Sequence, residues 1–188
     1  MKTLELKSGE IQSAGAILRA VESILGNEQK TPVVVVPAMG LTRKQFLEAG
    51  RKAADQDMVV ATTLAEGLRT YHMQVARQLT SGTNWNEALR RLGLIFQDVT
   101  DLLKGLHLLG EVSPRAELVA TFYGQSLAAT ILAHSLKERD REARALVERS
   151  LAIHPNKSSL EEQVGGLSAE GTIPVLPRGL AKRISARS

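Results

Sequence analysis

The order of apolar and polar positions along the chain predicts a strand, helix, strand, helix opening followed by a long helical middle. Thr3-Leu4-Glu5-Leu6 alternates as a short strand does, and Ser8-Gly9 behind it is a turn signal. Ile17, Leu18, Val21, Ile24 and Leu25 fall at helical spacing within Ser13 to Leu25, and Gly26-Asn27 stops that helix. Val33 to Val36 is an unbroken β-branched run, the signature of a strand covered on both faces in a parallel sheet. Pro37-Ala38-Met39-Gly40 closes it, and a helix follows with Phe46, Leu47, Gly50, Ala53 and Ala54 on its inner side. This βαβα order predicts an α/β fold.

Farther on, Val60, Leu64, Leu68, Tyr71, Val75 and Leu79 form one apolar stripe, and Trp85 through Leu109 carries a second. Ser81-Gly82-Thr83-Asn84 separates them, with Asn84 the expected N-cap, so the two should pack as an antiparallel helical hairpin. Ser113 and Pro114 then read as N-cap and first residue of another helix. Leu118, Val119, Phe122, Leu127, Ile131 and Leu132, with alanines between them, make it apolar on nearly every side, so it should be buried. Lys137 to Glu142 reads as its solvated end. Ala143 to Val147 and Thr172 to Leu176 are candidate strands, with a polar helix from Ser158 to about Gln163 between them. Residues from Pro177 onward read as a loose tail.

Composition narrows the function classes. At 188 residues the chain has the length of one domain with a sizeable core. It has no apolar run of membrane-spanning length and no apolar h-region in MKTLELKSGE, so neither a membrane anchor nor a secretory signal is expected. The absence of cysteine excludes disulfides and thiolate metal sites and fits a cytoplasmic protein. Three Phe, two Tyr and one Trp are too few for a base-stacking platform, so no specific nucleic acid is expected. There are 24 basic against 20 acidic residues, but Arg178, Lys182, Arg183 and Arg187 all fall between Arg178 and Ser188. The body, residues 1–177, is therefore neutral, and the excess belongs to a basic, disordered tail over 178–188.

Motif chemistry alone identifies no active site. Neither G-x-x-x-x-G-K-[ST] nor G-x-G-x-x-G after a strand occurs, and Gly165-Gly166 reads as a linker. His72, His107, His134 and His154 show no metal-ligand spacing, so no metal is expected; His72 and His134 read as helix-surface or satisfied core-edge residues. Gly124-Gln125-Ser126-Leu127-Ala128 is similar to a nucleophile elbow but lies inside a buried helix, where that motif has no strand-to-helix turn.

Five collinear segments do resemble the aspartokinases. Val33 to Gly40 followed by Leu41-Thr42 looks like their V-V-S-A-M-G-x-x-T strand and loop, in which Ala38, Met39 and Gly40 are the matching loop residues. Leu108 to Arg115 resembles the segment before the aspartate-contacting helix, and Phe122 to Ala128 stands where the family has S-F-G-E-x-L-S. Glu142 to Leu146 and Gly171 to Val175 resemble two later strands, the second written G-x-I-P-V-V-x-G-F. The resemblance implies the αβα sandwich of the amino-acid kinase fold, partial here, with the helical hairpin in its middle. The activity it implies is ATP-dependent phosphorylation of L-aspartate in amino-acid biosynthesis.

Departures from the pattern imply lost catalysis. The family's K-F-G-G-[ST]-S lysine falls on Glu5 without gaps and on Lys7 with a two-residue deletion, leaving Ser8-Gly9 as the remnant of the phosphate loop. The Gly-Gly pair, whose amides approach phosphate closely, is gone, and Glu10 brings charge of the wrong sign. Gln125 stands for the substrate-binding glutamate, Val147 for the expected Asp and Pro37 for the loop serine. The chain is expected to be truncated as well, since the G-R-G-G-S-D stretch, the nucleotide-binding half and the regulatory ACT domains are not in it. Removing one charge-stabilising donor typically costs about 10²–10³-fold in rate, and phosphoryl transfer rests almost wholly on such groups. The expectation is therefore a catalytically degenerate aspartokinase-like domain. Two alternatives stand beside it. One is a regulatory or interaction protein pairing with itself or with a complete kinase through an exposed sheet edge. The other is an active enzyme using Mg-ATP and completed by another chain, with Lys7 on the phosphoryl group and Gln125 and Arg115 near the substrate. An anionic partner for the basic tail is a further expectation.

Overall fold

The computed structural model describes residues 3–27, 31–153 and 156–185. Its centre is the valine run: β2 (Val33–Val36) is buried at all four positions. β1 (Thr3–Glu5) pairs with it in parallel, Thr3 opposite Val33. On its other side lies β4 (Ile173–Pro177), Val34 opposite Val175, and β3 (Ala143–Ala145) completes the sheet, Ala143 opposite Ile173. The order is β1-β2-β4-β3 and every pairing is parallel. Parallel neighbours require crossovers, and right-handed crossovers dictate the layers. The steps from β1 to β2 and from β2 to β3 run in one direction across the sheet, so their helices share a face. The step from β3 back to β4 is reversed and puts its helices on the other face. All five residues of β4 are buried, as two covered faces demand.

Prolines are rare inside central strands because they donate nothing to the ladder. Here Pro174 stands opposite Arg144 on the β3 side but precedes the first pairing with β2, Val34–Val175, and Pro177, opposite Val36, is the last residue of the β2 ladder.

The first face carries α1 (Ala14–Leu25), α2 (Thr42–Ala54), α3 (Met58–Leu79), α4 (Gly82–Leu109) and α5 (Pro114–Lys137). α5 is buried without interruption from Phe122 to Leu136, because it lies against β3 and β4 on one side and α2 and α4 on the other. Its start is as expected, with Ser113 Oγ accepting from Ala116 N–H and Pro114 in the first turn. α3 and α4, joined through Thr80 and Ser81, pack against each other as the expected hairpin. Gly124 permits a close approach: a Cβ there would lie 3.3 Å from Thr42 Cγ2 and 3.4 Å from Ala38 Cβ. α7 (Lys157–Ala169) packs on β4 on the far face, preceded by the short α6 (Arg149–Ile153).

Four expectations need correction. α4 begins at Gly82 with Ser81 as N-cap, so Asn84 is not the cap. Asn84 Nδ2 instead donates to His134 O (3.0 Å) and Glu138 Oε2 (2.6 Å) at the end of α5, which outweighs a local cap. Gly165 and Gly166 are no linker but lie within α7, where burial of Leu160, Val164 and Leu167 offsets the helix cost of two glycines, about 1 kcal/mol each. Ala143 to Val147 is a shorter strand than expected, ending at Ala145, although Leu146 N–H still donates to Val175 O at 3.0 Å. The segment read as a disordered tail from Arg178 is helix α8 (Arg178–Ser185), which follows β4 directly and buries Leu180. Residues 186–188, like His154, lie outside the described residues.

Candidate functional site

Open parallel sheets gather ligands at the C-terminal ends of their strands. β1 ends in Leu6 and Lys7, followed by a 3-10 turn over Ser8–Glu10. β2 ends in Pro37 to Gly40, and β4 runs straight into α8. Hydrogen bonds join these ends. Leu6 N–H donates to Val35 O at 2.9 Å, and Arg178 reaches back over β1, its Nη2 donating to Leu6 O at 2.6 Å. Arg178 Nε lies 2.8 Å from Glu5 Oε1, as an ion pair rather than an aligned hydrogen bond. One residue on, Gly179 N–H donates to Gln125 Oε1 at 2.8 Å. Gln125 is buried, and its carbonyl caps the first turn of α8.

The sequence-derived candidates distribute unevenly over this end. Lys7, Ser8 and Gly9 are exposed beside it. The Lys7 backbone N–H, a donor of the kind a phosphate would require, already donates to Glu10 Oε2 at 2.6 Å. Gly9 has neither positive φ nor an atom within 4 Å of a built Cβ, so this conformation does not demand a glycine there. Ala38 lies against Gly124, Met39 is fully buried in the core, and Gly40 adopts φ +46° beneath the Tyr71 hydroxyl. Arg115 is exposed in the first turn of α5, ten residues before Gln125 and so about 15 Å from it along the axis.

Two groups near the site escaped the motif reading. Thr42 Oγ1 and His72 Nε2 lie 3.3 Å apart, and His72 Nδ1–H donates to Leu68 O at 2.7 Å. That leaves Nε2 to accept from the threonine hydroxyl. Burial lowers the His72 pKa from 6.5 to about 4, against the raising effect of the Leu68 carbonyl. His72 is thus a neutral core residue rather than a surface one. Tyr71 donates to Gln12 O at 2.8 Å, tying α3 to the loop before α1. No local pattern announces either pair, because partners 30 and 59 residues apart meet only through the fold. By sequence alone Arg178 counts only as tail charge.

At the far end of α5, His134 Nδ1–H donates to Asn84 Oδ1 at 2.6 Å. Burial first, then Lys137 and Arg91, lowers its pKa to about 4. Glu138, which also accepts from Ser81 Oγ, is held below its ordinary value by the Ser81 and Asn84 hydrogen bonds. Among the described residues, no three His, Cys, Asp or Glu side chains converge as a metal site, and no helix is long and apolar enough to cross a membrane.

Two concavities flank this end. A cleft of about 500 Å³ opens between α2 and α3, lined by Leu41, Thr42, Leu64 and Tyr71 among others. A second, of about 300 Å³, lies between α5 and α8, with Gln125 in its lining.

No family model matches the chain, and no curated protein matches it. Solved structures do. The fold superposes on E. coli aspartokinase III in complex with aspartate and ADP (R-state) with a TM-score of 0.71 at 13% identity, over 94% of this chain and 40% of that one. It superposes on E. coli aspartokinase III in complex with lysine and aspartate (T-state) with a TM-score of 0.72 at 12% identity, over the same shares. The fold is therefore aspartokinase-like: a mixed α/β architecture on a four-stranded parallel sheet. The chain spans 40% of the length of the aspartokinase chains it matches.

Proposed function

We propose that this chain is an aspartokinase-like domain that does not phosphorylate aspartate by itself and acts by association, with a second copy or with a complete kinase. One observation carries the reading: three donors at this end of the sheet, the Lys7 and Gly179 backbone N–H groups and the Arg178 guanidinium, are already engaged within the chain. Lys7 N–H is held by the Glu10 carboxylate, Gly179 N–H by Gln125, and Arg178 by Glu5 and the Leu6 carbonyl. An incoming phosphate would have to displace Glu10 and would meet its charge, which is unfavourable for transfer. The three-residue edge strands β1 and β3 leave backbone groups for a partner to pair.

Titration of the folded protein with Mg-ATP by calorimetry, with and without aspartate, tests the catalytic half of this reading. No saturable heat at about millimolar nucleotide is expected; stoichiometric binding followed by ADP release would overturn it. Sedimentation tests the other half, with concentration-dependent assembly expected and a strict monomer counting against it. The competing reading, an active kinase completed by another chain, draws on Lys7, Arg178 and Gln125 sharing one end of the sheet. It requires ATP turnover to appear on adding the second chain.

A further inference from the structure

The pocket between α5 and α8 has a one-sided chemistry. Leu118, Thr121, Phe122 and Gln125 stand at helical spacing on one face of α5 and form a wall, with Leu180 and Lys182 of α8 opposite. Gln125 can face the Gly179 N–H only with its oxygen, since two donors do not bond each other. Its Nε2 amide protons remain, with no hydrogen-bond partner among the described residues, in a side chain only 7% exposed. The Thr121 hydroxyl, half-buried, also has no partner among them. Lys182 adds a positive charge at the rim. Among the described lining residues, every polar group is thus able to donate, none is a carboxylate, and the others are apolar. Leu118 is 58% exposed at the mouth, an apolar surface left uncovered. At about 300 Å³ the space stands at the small end of pockets that hold small molecules. The larger cleft between α2 and α3 differs, because its Thr42, Thr63 and Tyr71 hydroxyls are all engaged within the protein.

We infer that this pocket binds a small monocarboxylic acid with a branched or straight apolar chain. The carboxylate accepts from Gln125 Nε2 and Thr121 Oγ1 with Lys182 beside it, and the chain lies against Leu118, Phe122 and Leu180. Such a site disfavours amino acids, because an ammonium group would have only the Thr121 hydroxyl oxygen to accept from it and would face Lys182. The inference rests on the preceding reading in one respect: the position where aspartokinases carry a glutamate offers no carboxylate to an amine.

Calorimetric titration of the full chain with 4-methylpentanoate, L-leucine and 4-methylpentanamide tests it. The acid should bind saturably at one site, and leucine and the amide about tenfold or more weaker, the loss expected when a charge-assisted hydrogen bond is missing or a charge is left unpaired. Gln125→Glu is the decisive variant, since a carboxylate still accepts from Gly179 N–H and keeps the α8 cap while removing the donors. It should keep the Gly179 N–H protected from exchange, weaken the acid about tenfold or more, and shift preference towards leucine. Absence of saturable binding of the acid, equal binding of leucine, or a Gln125→Glu protein that binds the acid unchanged would each overturn the inference. No nucleotide enters these titrations, so their failure leaves the non-catalytic reading standing. ATP turnover by the unmodified chain would sink that reading without altering the carboxylate result.

Discussion

Gln125 in the middle of α5 accepts a hydrogen bond from the backbone N–H of Gly179 at 2.8 Å, and this bond joins the central helix to the first turn of α8. A residue that the family resemblance assigns to substrate binding is thereby a structural cap. A Cβ on Gly179 would lie 3.2 Å from the Gln125 Oε1 atom, so the contact also selects the residue at the helix start.

Removing the cap separates its two roles. Gln125→Leu should cost about 1–2 kcal/mol, the range of a lost helix cap or an unsatisfied buried N–H. That is a fall of roughly 2–8 °C in Tm for a domain this size. Gln125→Glu keeps the acceptor though it buries a charge, so exchange of the Gly179 amide should stay slow in it and quicken in the leucine variant; equal exchange in the two would refute the capping role.

Arg178 secures the same helix from the other side. Arg178→Ala removes the donor to Leu6 O and the ion pair with Glu5. Amide exchange at Leu180 should quicken in the variant while the α5 amides keep their protection. Equal exchange in both proteins would mean that the Gln125 cap and Leu180 burial hold α8 without Arg178.

Two glycines with opposite surroundings should respond oppositely. Gly124→Leu forces a side chain between α5 and the Ala38–Thr42 loop and should cost about 1–3 kcal/mol or more, as overpacking does. Gly165→Ala meets nothing within 4 Å inside α7 and should stabilise by up to about 1 kcal/mol. Urea midpoints of the two variants against wild type decide both.

Acid should weaken the fold through its buried imidazoles. His72 and His134 have folded pKa values lowered from 6.5 to about 4, so in that window the unfolded chain binds protons that the folded chain excludes. Their contribution is complete above about pH 6.5 and is lost as the pH falls towards 4. For His72, fully buried in the core, the full effect is on the order of 3 kcal/mol. Urea midpoints should drop between about pH 7 and pH 4.5, and His72→Gln should flatten that slope. An unchanged slope in the variant would show that His72 is not its source.

Much of the architecture was legible along the chain because it is written in periodicity. The Val33–Val36 run, the stripes of α3 and α4 and the all-round apolar α5 each report their burial through residue type alone, and each element lies where that pattern predicts. Ser113-Pro114 reported a helix start for the same reason, since the cap bonds residues three apart. The site was less legible. Lys7 and Gln125 do approach one end of the sheet, but Arg115 stands about three turns from Gln125 on the same helix. Glu10, read only as a charge of the wrong sign, proves to be the partner of the Lys7 N–H.

Sequence by itself determined the helices α1 to α5, the strand β2 and which of their faces are apolar, because those properties depend on neighbours within a turn or two. Tertiary structure alone decided the strand order β1-β2-β4-β3, the helical state of Arg178–Ser185 and the partner of Gln125. Each of these depends on groups that lie far apart in sequence: Arg178 meets Leu6 across 172 positions, and Gly179 meets Gln125 across 54. A short helix with little apolar surface has no local signal strong enough to announce itself, and it forms because distant hydrogen bonds and the burial of Leu180 stabilise it.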